Sequence, residues 1–146
     1  MESLHPLIVH FPIALLLSAL TLDGLALVLK RPSLHQVALW NLCLGTLGAA
    51  AAVLTGLNAE DVAKHSFEIW QIMERHKRLG ITTLTLAAAT TALRLWKRNR
   101  LSPRLRLATM ALMLVMASTL AVGAYLGGRL VYELGVGGSF GRSPTF

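Results

Sequence analysis

The sequence predicts an all-α integral membrane protein, an up-down four-helix bundle with both termini on the outer side. Three observations carry this expectation. Only 14% of the 146 residues are charged and 54% are hydrophobic, whereas a soluble domain carries roughly 25% charged residues. The apolar residues gather in four runs, 7–29, 36–57, 79–96 and 105–126. Each is close to the ~20 residues a helix needs to cross ~30 Å of hydrocarbon. The basic residues are also placed unevenly. Lys30 and Arg31 follow the first run, and Arg94, Lys97, Arg98, Arg100, Arg104 and Arg106 lie between the third and fourth. By the positive-inside rule both segments are cytoplasmic. Between the second and third runs, four basic and four acidic residues balance over 60–78, as expected of an external segment.

These features place the protein in the bacterial inner membrane as a multi-pass chain with membrane lipid as its obligatory partner. The net charge of +7 then anchors topology, and no nucleic-acid partner is expected. Four runs and their connections use nearly the whole chain, so one domain, 1–146, is expected. It would carry an external helical extension over 59–78 and a tail over 127–146.

The first run opens His5-Pro6-Leu7-Ile8-Val9-His10-Phe11-Pro12. It lacks the basic start and short apolar stretch of a secretory signal, so it reads as a retained span. Pro6 suits a first helical position, whereas Pro12 denies the Ile8 carbonyl its partner and predicts a kink. His5 and His10 lie about 140° apart on a regular helix. They share a ligand only if that break redirects one of them.

The second run is smooth, with Gly45, Gly48, Gly56 and four consecutive alanines, which lets a neighbouring helix or a flat cofactor approach closely. Asn58 and Asp61 read as a cap and acidic first turn. Val62, Ile69, Met73 and His76 then form one apolar stripe leading into the third span. His65 lies near the same face, about 16 Å further out. In the fourth run Met110, Met113 and Met116 read as core filling. Gly127-Gly128 predicts a helix stop, followed by an amphipathic external tail. Cys43 is the lone cysteine and reads as a small buried residue. Trp40, Trp70 and Trp96 fall at run ends, where an aromatic belt is expected. Asp23 lies about 220° around the first helix from His10 and is expected to pair with Arg94 or Lys97.

The His5-Pro-Leu-Ile-Val-His-Phe-Pro-Ile-Ala-Leu opening, Thr55-Gly56-Leu57, His76 at the mouth of the third span and Gly127-Gly-Arg-Leu-Val-Tyr-Glu-Leu-Gly-Val together resemble a family of small four-helix bacterial membrane proteins of unknown function. The resemblance covers essentially the full length. It implies a four-helix integral membrane protein with His10, His76, Arg129 and Tyr132 at characteristic positions, and it implies no established activity.

Ionisable side chains at membrane depth are costly, which makes the histidines the candidate site. Helices 1 and 3 of an up-down bundle lie diagonally across the core. Two imidazoles facing each other there can ligate a haem iron from both sides. The residues expected to carry the site are His10 and His76 as ligands, with Gly56, Gly80 and Gly123 making room for the flat cofactor. Arg129, or Arg75 or Arg78, would meet its propionates, and Tyr132 accompanies Arg129. Haem b and electron transfer, rather than enzymatic turnover, are the expected function. A quinone or a periplasmic carrier would exchange the electrons, and a homodimer would extend the path. Two alternatives stand beside this: a copper or zinc site using His5, His10 and His76, with His65 a weaker ligand, and a non-catalytic membrane interaction subunit. No serine or cysteine has a base beside it, so hydrolase chemistry finds no support.

Overall fold

In a computed structural model, which describes residues 5–60, 66–97 and 99–136, the chain is all-helical. A single-turn helix α1 (His5–Ile8) precedes four long ones, α2 (His10–Val28), α3 (Pro32–Glu60), α4 (Phe67–Trp96) and α5 (Pro103–Tyr132). Among them α2, the Pro32–Leu57 part of α3 and α5 are long and apolar enough to cross a membrane by length and composition. Helix α4 is as long but more polar, and its threonines account for part of that difference. The hydroxyls of Thr82, Thr85 and Thr90 donate to the Arg78, Ile81 and Leu86 carbonyls one turn back. Thr83 meets Thr119 of α5, and Thr91 meets Thr46 of α3, each at 2.9 Å. A hydroxyl in apolar surroundings needs such a partner, and here the partners also tie α4 to its neighbours.

Helix α2 packs along α3, α3 against α4, α4 along α5, and α5 closes back on α2. The α2–α3 seam is made by small residues. A Cβ on Gly45 would lie 2.7 Å from Leu16 Cδ2, and one on Gly48 would lie 3.0 Å from Phe11 Cδ1. These glycines therefore bring the helices together as the sequence suggests. The central core consists of Leu16, Ala19, Leu42, Ala49, Ala87, Met113 and Met116. Met113 and Met116 of the methionine row thus fill the core as expected, while Met110 is only half-buried. A second cluster, Ile72, Met73 and Leu130, packs the start of α4 on the end of α5.

Several boundaries differ from expectation. Helix α3 starts at Pro32 rather than 36, with proline at its first position, where a missing N–H costs nothing. Asn58 lies within α3 and does not cap the next helix. Ser66 does, its hydroxyl accepting from the Ile69 N–H. Gly127-Gly128 does not stop α5, which continues to Tyr132. Glycine weakens a helix by about 1 kcal/mol, and tertiary contact offsets that here because Gly127 seats a histidine ring. The chain leaves the helical path only at Gly135, φ +64°. The helical pattern is interrupted near Pro12, with Val9 itself keeping helical φ and ψ of −63° and −26°. The interruption falls at Val9 between α1 and α2, three residues before Pro12, whose ring takes the place of the N–H that Ile8 would need.

Candidate functional site

Two polar centres lie at opposite ends of the helices, and each joins α4 to the α1–α2 arm. His76 and Arg94, their members on α4, are eighteen residues apart, about 27 Å along a helix.

At the first end His5 of α1 lies over α3. Its ring lies against Gly56, where a Cβ would sit 3.0 Å from Cε1. His5 Nδ1 and Thr55 Oγ1 are 3.2 Å apart. The Thr55 hydroxyl also faces the Ala51 and Ala52 carbonyls at 3.0 and 3.1 Å. The His5 ring and the Thr55 hydroxyl thus share one hydrogen bond whose direction follows the tautomer of the ring. His76, half-buried on α4, donates Nδ1–H to the Gly123 carbonyl of α5 at 2.8 Å. A carbonyl only accepts, so this tautomer follows from the partner. Its ring fills the space over Gly127, 3.0 Å from where a Cβ would be. The two imidazole centres are 6.1 Å apart with planes at 84°. Each ring is thus held to the protein through Nδ1, and no hydrogen bond between Nε2 and another side chain is formed among the described residues. Burial first, and the neighbouring His76 second, hold the His5 pKa below the ordinary histidine value.

His10, the expected partner of His76, is exposed at the start of α2; the ring brought to His76 is that of His5. Five positions decide this, since they set the two side chains about 140° apart around a helix. Gly56 does make room as expected, but for an imidazole. Gly80 and Gly123 face helix packing instead, with Val53 Cγ2 at 3.9 Å and Leu79 Cβ at 3.5 Å from their Cβ positions. Arg129 bonds Glu133 one turn on, Nε to Oε2 at 2.7 Å. Arg78 is likewise held by Glu74 at 2.8 Å. Glu74, gripped by Lys77 and then Arg78, sits below the usual carboxylate range. Tyr132 is 84% exposed. His65 lies outside the described residues.

At the other end Asp23 meets Arg94 as expected, in a larger centre than the sequence suggests. Arg94 is 1% exposed and Asp23 5%. The guanidinium grips the carboxylate through Nη1–Oδ2 at 2.5 Å and Nη2–Oδ1 at 3.1 Å. His35 places Nδ1 2.8 Å from Asp23 Oδ1. Its carbonyl accepts from Arg94 Nη2 at 2.9 Å and from Asn99 Nδ2 at 3.1 Å. Asn99 adopts φ +56° just beyond α4 and returns Oδ1 to Arg94 Nε at 3.1 Å. Three helices are latched through one buried carboxylate, and no buried side-chain polar atom among the described residues lacks a partner. The missed signals were Asn99 in a short basic turn, where asparagine tolerates positive φ, and His35 one turn after Pro32.

The chain is therefore an all-helical membrane protein built around two polar centres. Over residues 1–139 it matches, and belongs to, the family described as "Predicted membrane protein (DUF2231)". No curated protein and no solved structure matches it.

Proposed function

We propose that the protein is a b-type cytochrome-like electron-transfer protein of the bacterial inner membrane, with His5 and His76 as axial ligands of haem near the outer face. One observation carries this reading. Two imidazoles from opposite arms of the bundle stand 6.1 Å apart, each pinned through Nδ1, which leaves Nε2 as the ligating atom. A metal-ligating histidine typically donates its other ring N–H in this way, which fixes the ring and raises its basicity. Two imidazoles on either side of one metal, with bonds of ~2 Å, bring their centres to about 6 Å.

Donor chemistry favours haem over a bare ion. Among the described residues no third histidine, cysteine or carboxylate completes a cluster. Copper or zinc asks for three or four protein ligands, whereas a porphyrin brings four nitrogens of its own. Haem would supply a one-electron couple, and two imidazoles leave its iron no open position, which suits electron transfer. The chain's residues hold and orient. Thr55 and Gly123 fix the two rings, Gly56 and Gly127 let them approach the backbone, and Arg75 and Arg129 on the same end would meet propionates.

The topology belongs to this reading too. Helix α4 is the fourth span, the bundle runs up and down, the basic turns face the cytoplasm and both termini lie outside. A single site near one face requires a mobile quinone or a periplasmic carrier to complete the path. A reduced-minus-oxidised visible spectrum of the purified protein tests the proposal.

A further inference from the structure

At the basic end, Leu27 of α2, Leu101 of the α4–α5 turn, and Pro103, Arg106 and Leu107 of α5 line an open groove of about 590 Å³. Its walls are hydrocarbon. Leu27 is 43% and Leu107 70% exposed, so the groove faces whatever surrounds the helices. One guanidinium interrupts those walls. Arg106 is half-buried, and its side chain has no hydrogen-bond or ion-pair partner among the described residues.

The charge around it is of one sign. Arg104 stands two residues before it, Arg100 lies in the preceding turn, and Lys30 and Arg31 follow the end of α2 that carries Leu27. The carboxylates whose side chains are described are Asp23, Glu68, Glu74 and Glu133. The last three lie at the far ends of α4 and α5, and Asp23 is held by Arg94 and His35. Among the described side chains no acid is left to answer Arg106.

From this we infer that the groove is a binding site for one anionic phospholipid, its phosphate on Arg106 and an acyl chain along Leu27 and Leu107. The chemistry agrees part by part. A planar guanidinium takes two phosphate oxygens, the apolar walls take the chain, and basic pockets between membrane helices suit such headgroups. A zwitterionic lipid offers the same chain but sets an ammonium among five cations. This site is independent of the histidine pair.

The test is native mass spectrometry of the whole protein released from detergent with phosphatidylglycerol, cardiolipin or phosphatidylcholine added. One anionic lipid should stay bound, phosphatidylcholine should not, and Arg106→Gln should weaken retention roughly tenfold. Arg104→Gln, outside the groove lining, should change it less than threefold. Leu107→Trp keeps the guanidinium but fills the groove, and should also release the lipid. A thermal melt in lipid-free detergent identifies a variant that fails to fold, and the other groove variant then decides. Equal retention of phosphatidylcholine, retention unchanged in both groove variants, or equal loss in Arg104→Gln and Arg106→Gln would overturn the site. The last result would mean a diffuse basic surface.

Discussion

His5 and His76 meet at 6.1 Å with their ring planes at 84°, although seventy-one residues separate them in sequence. The contact depends on three local features: a helix broken ahead of Pro12, a glycine on α3 that admits His5, and a glycine on α5 that admits His76. None is costly alone, and together they bring two imidazoles to one place.

The glycines give the sharpest separation between site and scaffold. A Cβ on Gly127 would lie 3.0 Å from His76 Cε1, whereas one on Gly45 would lie 2.7 Å from Leu16 Cδ2 and 3.2 Å from the Leu16 backbone nitrogen. Gly127→Val should displace the imidazole and remove haem while the melting temperature changes little. Gly45→Ala should cost about 1–3 kcal/mol of stability by overpacking and leave the haem-to-folded-protein ratio near that of the wild type. Thermal melts together with haem stoichiometry for both variants check this.

Pro12→Ala should restore the N–H that the Ile8 carbonyl lacks and favour a continuous helix from α1 into α2. His5 would then swing off Gly56. The expected outcome is lower haem occupancy with a fully helical circular dichroism spectrum. Occupancy equal to the wild type would show that the break does not set the position of His5.

At the basic end, Asp23→Asn leaves Arg94 buried at 1% exposure without its counter-charge. Breaking a buried pair in this way costs about 3–5 kcal/mol. The double variant Asp23→Asn/Arg94→Gln should recover more than about 1 kcal/mol of that loss, the coupling expected of groups in contact. Chemical denaturation of the four members of the cycle in detergent measures it. Additive losses would mean the two side chains do not act as a unit.

Acid should loosen the histidine end. Burial, and then His76, hold His5 below the ordinary histidine pKa, so the unfolded chain takes up a proton at a higher pH than the folded site. Docking of His5 therefore contributes stability that is fully present above about pH 6.5. That contribution is lost as the pH falls through the lowered folded value. The stability gap between wild type and His5→Ala should narrow on acidification from about pH 8 to about pH 5. A gap that widens would reverse the assigned direction.

Much of this was legible in the sequence. Four apolar runs gave four helices, and Pro12 gave a break. Met113 and Met116 lie in the core, and Asp23 found Arg94. What escaped was set by tertiary contact. Gly127-Gly128 reads as a stop in isolation, but in the bundle Gly127 is the floor under His76 and α5 runs on. His10 is the more conspicuous histidine in the motif, yet five positions of helix, about 140°, leave it exposed while His5 meets α3. His35 and Asn99 lie sixty-four residues apart, and no local periodicity announces that they share one carbonyl.

The central claim is that His5 and His76 together hold haem iron. Its most direct test is a dithionite-reduced minus oxidised spectrum of the protein purified in detergent, with haem supplied during expression. Wild type should be compared with His5→Ala, His10→Ala and His76→Ala. The account predicts a sharp low-spin band at about one haem per chain, lost in His5→Ala and His76→Ala and kept in His10→Ala. A colourless wild-type protein, or a band that survives removal of either His5 or His76, would contradict it.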